Sequence, residues 1–129
     1  MYKKFDDLLM DLGRKRPNQK TPTGTVFFFN DHEVRLVAGE MEQVHWMDIQ
    51  IELPRFKLES IQAAKKVLQA NREMGMATPI PTWFGLSEKG DCLVFINRLD
   101  WRHVTDQIVE SHILRCIDQM TQALTTEGV

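Results

Sequence analysis

The 129-residue chain has little of what marks most recognisable chemistries. It holds two cysteines, Cys92 and Cys116, in a strand-like and a helix-like stretch without CxxC spacing. That spacing argues against a disulfide framework and against a paired-thiolate zinc site. No apolar run approaches the ~20 residues that cross a bilayer, and no apolar signal segment precedes the first helical stretch. A cytoplasmic location with reduced thiols is expected, without membrane contact. The chain lacks a basic excess: its net charge is -2 and its pI is near 6.1. Nucleic-acid binders usually show a basic face, so no nucleic-acid partner is expected. GxGxxG, GxxxxGK[ST] and GxSxG are missing, as are internal repeats and low-complexity tracts.

Hydrophobic residues make up 43% of the chain, enough for one core over residues 1–129. Phe5, Leu8, Leu9 and Leu12 fall at helical spacing among Asp6, Asp7 and Asp11, with Gly13 as the stop. Arg14 to Gly24 (RKRPNQKTPTG) has no periodicity and reads as a loop. TVFFF (Thr25 to Phe29) and Glu33 to Val37 form a hairpin about Asn30 and Asp31. Glu42 to Leu53 then alternates Met47, Ile49, Ile51 and Leu53 against Asp48, Gln50 and Glu52, so one face is buried and the other polar. Pro54 ends that strand.

Leu58 to Met74 is the second helix, with Ile61, Ala64, Val67, Leu68 and Met74 along one side and Gly75 after it. Pro79 and Pro81 stiffen an extended connector. Trp83 to Leu86 and Cys92 to Leu99 make a second hairpin through Gly90. The last helix lies within Trp101 to Leu124, with Val109, Ile113, Cys116, Ile117, Met120 and Leu124 as its stripe; residues 125–129 fray. The fold class is therefore α+β, a single domain in the order α-β-β-β-α-β-β-α, with an antiparallel sheet packed with helices.

Candidate chemistry is sparse. His112 and Cys116 stand four apart on one helix face, the minimum for a small thiol enzyme, but Cys116 also occupies a core position. His103, His112, Cys92 and Cys116 lack metal-ligand spacing, so no metal or other cofactor is expected. Glu40 with Glu42, and Asp48 with Glu52, read as solvated carboxylates, and His32 and His45 as surface residues. Trp46, Trp83 and Trp101 are scattered over separate elements without a basic frame, which points to packing roles.

Coverage carries more information. TVFFF and CLVFI are apolar on both strand faces, and three helices of this length do not cover both sides of the sheet. A second copy of the chain or a bound segment of another protein completes the burial.

The stretches FDDLLMDLG, DIQIELP, AAKKVLQAN and, above all, WFGLSEKGDCLVFINRLDWRHVTDQIVESHILRCIDQMTQAL resemble the class I chaperones of type III secretion systems. The resemblance spans nearly the whole chain and rests on pattern and length, not on an invariant motif. It implies a homodimer that binds the extended N-terminal segment of a secreted effector without ATP and keeps it soluble and secretion-competent, not an enzyme. A regulator of the same fold, binding another chaperone or an anti-activator, is the alternative. The expected partner groove comprises Phe5, Leu8, Leu9, Leu12, Phe27, Phe29, Val34 and Leu36, each of which has a second reading as monomer core. By analogy with the family, Ala64, Val67, Leu68 and Phe95 form the dimer interface, with the same second reading. The basic Arg14 to Lys20 stretch, the mild acidity and the Pro79 to Pro81 connector depart from the family pattern.

Overall fold

A computed structural model describes residues 2–39, 45–53, 60–77, 80–87 and 92–126. Helix α1 (Phe5–Gly13) leads into strands β1 (Asn18–Thr21), β2 (Gly24–Phe29), β3 (His32–Ala38) and β4 (Trp46–Leu53). Helix α2 (Ile61–Ala77), strands β5 (Thr82–Leu86) and β6 (Leu93–Asp100), a 3-10 turn (Trp101–His103) and helix α3 (Asp106–Thr126) follow. The sheet has six antiparallel strands in the order β1-β2-β3-β4-β6-β5.

The α+β order is as the periodicities indicate, with one addition. β1 lies inside the stretch read as a loop, and its burial is too slight to leave a period-2 signature in NQKT. Pairing of Gln19 with Val26 and Lys20 with Thr25 holds it. Gly75 does not stop α2, which runs two residues further; nothing within 4 Å would meet a side chain there. Pro54, Pro79, Gly90 and the Glu40–Glu42 pair lie outside the described residues.

Local chemistry explains the element ends. Ser60 Oγ accepts from the Ala63 N–H (3.1 Å) at the start of α2, and Thr105 Oγ1 accepts from the Ile108 N–H (3.2 Å) at the start of α3. Asn30 takes the left-handed φ of 56° in the β2–β3 turn, a conformation asparagine tolerates. Gly24 has φ 146°, and a Cβ there would stand 2.8 Å from the Leu36 carbonyl oxygen, so this strand crossing requires glycine.

Register divides the sheet into two faces. On the inner face one row runs Phe27, Val34, Ile51, Phe95, Phe84, and the next runs Thr25, Leu36, Ile49, Asn97, Thr82. The helices close over these rows: Leu8 and Leu12 from α1, Val67, Ala70 and Met74 from α2, and Val109, Ile113, Cys116 and Met120 from α3 belong to the same core. The basic stretch is not a free loop. Lys15 bonds Asp106 at 2.5 Å and Glu110 at 3.4 Å, and Arg16 bonds Glu110 at 3.2 Å, fastening the end of α1 to α3. Hydrogen bonding to Lys15 holds the Asp106 carboxyl below its usual range.

Candidate partner-binding surfaces

The outer face of the sheet begins with strand parity. Val26, Arg35, Gln50, Ile96 and Trp83 form one row across it, and Val37, Asp48 and Arg98 form another. Seven apolar residues of this face, Val26, Phe28, Val37, Trp46, Trp83, Val94 and Ile96, stand apart from the core that all three helices share. The two-faced apolarity of TVFFF and CLVFI is thus divided between the two sides of the sheet. Phe27, Phe29, Leu93 and Phe95 enter the core, while Val26, Phe28, Val94 and Ile96 turn to the other side.

The centre of this face is not visible in the sequence, because its residues come from separate strands. Arg98 stacks over Trp46, 3.8 Å from its ring centroid, and lies 5.3 Å from that of Trp83. It also donates twice to Asp48, at 2.7 and 3.1 Å, and that bond raises its already high pKa. Asp48 is thus a buried partner of Arg98 and not a solvated carboxylate. Trp46 and Trp83 looked unrelated because their strands meet only through β6. The parity of Trp46 with Asp48 was the available clue. Trp101 does what a packing residue does, against Phe5 and His45 at 5.9 and 5.6 Å; His45 is accordingly half-buried, and His32 is also partly covered.

The two sheet edges differ. At β5, Asn71 of α2 accepts from the Phe84 N–H (2.5 Å) and donates to the Phe84 carbonyl (3.1 Å), so a side chain occupies the open hydrogen-bonding positions. At β1 no described strand lies beyond. The Phe28 N–H donates to the Pro17 carbonyl (3.3 Å), and alternation from that bond turns the peptide groups of Asn18 and Lys20 outward.

The expected groove residues need correction. Leu8, Leu12, Phe27, Phe29, Val34 and Leu36 are buried in the monomer core, because inner-face parity and the α1 stripe point them at one another. Phe5 and Leu9 are partly buried against that core and retain surface. The dimer residues divide similarly: Val67 and Phe95 are core, whereas Ala64 and Leu68 are exposed. Helix α2 carries two apolar stripes. Val67, Ala70 and Met74 face the core, and Ile61, Leu68 and Met76 are more than two-thirds exposed, at 77%, 67% and 81%.

The thiol pairing does not assemble. His112 Nε2 is 2.6 Å from Asn97 Oδ1, Asn97 donates to Thr82 Oγ1 (2.8 Å), and Thr82 donates to the Ile80 carbonyl (2.9 Å). This chain of bonds ties α3 to β6 and β5. Burial lowers the His112 pKa, with Arg115 adding to the effect. Cys116 is 2% exposed and burial pushes its thiol up to about 12, the opposite of an activated nucleophile. Among the described residues no group of three His, Cys, Asp or Glu side chains could hold a metal ion, and no helix is long and apolar enough to cross a membrane.

No known family model matches the chain, and no curated protein matches it in sequence. Solved structures do share its fold. A chain of the HopA1-SchA chaperone-effector complex superposes with a TM-score of 0.66 at 13% identity, covering 94% of this chain and 93% of that one. YbjN, a putative transcription regulator from E. coli, superposes with a TM-score of 0.57 at 9% identity, covering 92% and 84%. At these identities the likeness establishes the architecture alone.

Proposed function

We propose that this chain is a secretion chaperone that holds an unfolded N-terminal segment of an effector and acts as a homodimer in the cytoplasm. The observation that carries this reading is the outer face of the sheet, where seven apolar residues stand outside the shared core and five of them, Phe28, Val37, Trp46, Trp83 and Ile96, keep accessible surface while Val26 and Val94 are buried beneath. Trp46, Trp83 and the Arg98 between them are of the residue types enriched at binding hot spots. The open β1 edge supports it by offering the peptide groups of Asn18 and Lys20 to an added strand, a common mode of segment capture. Phe5 and Leu9 extend the surface on α1, and the second apolar stripe of α2 supplies the dimer contact through Ala64 and Leu68. The shared fold with a chain of a chaperone-effector complex agrees with the reading. Capture works without ATP because apolar burial at ~25 cal/mol per Å² offsets the ordering of the segment.

The test is capture of partners from the native cytoplasm, followed by limited proteolysis and mass spectrometry. An extended, protected leader of roughly 50 to 100 residues is expected. Lys20→Pro, which removes an outward N–H, weakens its capture. Recovery of a folded regulator would favour the second reading, a regulatory protein of this fold, which the likeness to YbjN supports. Recovery of no partner at all would refute both.

A further inference from the structure

The outer face carries two arginines in contrasting states. Arg98 has its carboxylate partner and its indole. Arg35, one row away, has no stacked indole and only a looser ion pair, with Glu52. Its Nε is buried without a hydrogen-bond partner among the described residues, and its closest approach to Glu52 is 3.6 Å, an ion pair too long to be a hydrogen bond. A guanidinium carries five N–H donors in a fixed fork, and leaving a buried one unmatched is unfavourable.

The Arg35 side chain, 28% exposed through its other atoms, lines a cleft of about 160 Å³ whose polar walls also include Gln50, Glu52, Thr23 and Ser87 and whose apolar walls include Val37, Val94 and Ile96. The charges select what fits there. A carboxylate would meet Arg35 favourably but Glu52 unfavourably, and an ammonium would do the reverse. A carboxamide suits both, because its oxygen accepts from Arg35 and its N–H donates to Glu52. The apolar walls suit the short methylene stem of such a side chain.

We propose that this cleft is a specificity pocket for an asparagine or glutamine side chain of the extended segment that the protein holds. The inference rests on the segment-holding reading above. It adds a sequence preference: the bound segment carries an amide residue in register with Arg35 while its neighbours lie on the outer face.

The experiment selects a random peptide library, displayed on phage, against the full-length protein and against its Arg35→Leu and Glu52→Gln variants. For the wild type, bound peptides share an Asn or Gln at one position, and they bind Arg35→Leu about tenfold more weakly, the effect of one well-made hydrogen bond. Removing the Glu52 charge moves the recurrent residue to Asp or Glu. This arm serves by itself if Arg35→Leu fails to fold. Peptides that bind all three proteins equally, with no recurrent amide, overturn the pocket and leave the segment-holding reading intact. Selection of no peptide by the wild type overturns both. A change of molecular mass in Arg35→Leu by light scattering shows that a second copy occupies the cleft, which also overturns the proposal.

Discussion

Asn71→Ala removes both hydrogen bonds that α2 makes to the open edge of β5, the 2.5 Å bond from the Phe84 N–H and the 3.1 Å bond to its carbonyl. Phe84 itself is 4% exposed, so water replaces the lost partners poorly. One unmatched buried backbone group costs about 1–3 kcal/mol and two are left here, while the better helix propensity of alanine returns about 0.5 kcal/mol. A loss of about 2 kcal/mol lowers Tm by roughly 6–8 °C for a domain of this size. The variant also gives β5 an edge free to pair with another chain, so its light-scattering mass rises with concentration more steeply than that of the parent. Urea and thermal unfolding at a fixed, low protein concentration separate the two effects. An unchanged midpoint would show that α2 is held on β5 by Val67, Ala70 and Met74 alone and that the clamp contributes nothing.

Other outcomes follow from burial and charge. Iodoacetamide at mildly alkaline pH labels Cys92 in the native protein and reaches Cys116 only after unfolding, which peptide mapping reads directly, since the Cys116 thiol is pushed up to about 12. The lowered pKa of His112 means that the unfolded chain binds its proton first. Stability from this group is therefore full above the ordinary histidine range, near pH 6.5, and falls as pH drops from there through the lowered folded value. The urea midpoint decreases between about pH 7.5 and pH 5 in the parent, and less so in His112→Gln. Gly24→Ala forces a Cβ to 2.8 Å from the Leu36 carbonyl at φ 146° and lowers stability by about 1–3 kcal/mol in denaturant titrations. Leu8→Asp abolishes the folded signal in circular dichroism because Leu8 is 0% exposed, while Leu68→Asp, at an exposed position, preserves it.

Periodicity alone carried the order of helices and long strands. Phe5, Leu8 and Leu12 or Met47, Ile49 and Ile51 have alternatives that would leave their apolar sides in water, and a one-residue slip in β4 would bury its polar set. The two-faced apolarity of TVFFF and CLVFI likewise showed from strand parity that one face of the sheet carries apolar residues beyond the core. Parity does not say which face the helices take, so Phe27, Phe29, Val34 and Leu36 were equally legible as groove or as core. Short β1 escaped notice for a related reason, since an exposed edge strand buries too little to leave a pattern.

The remaining features are matters of adjacency. Trp46, Arg98 and Trp83 come from three strands, and β6 lies between β4 and β5 because the chain crosses over after α2. Local preference does not set that crossing; mutual burial of the inner rows does. The same packing divides α2 into a core stripe and an exposed one, places His112 on Asn97, and leaves the Nε of Arg35 without a hydrogen bond although its guanidinium pairs with Glu52. Hydrophobic periodicity is written residue by residue along the chain. A binding face is assembled from residues far apart in it, whose neighbours exist only once the long-range strand pairs have formed.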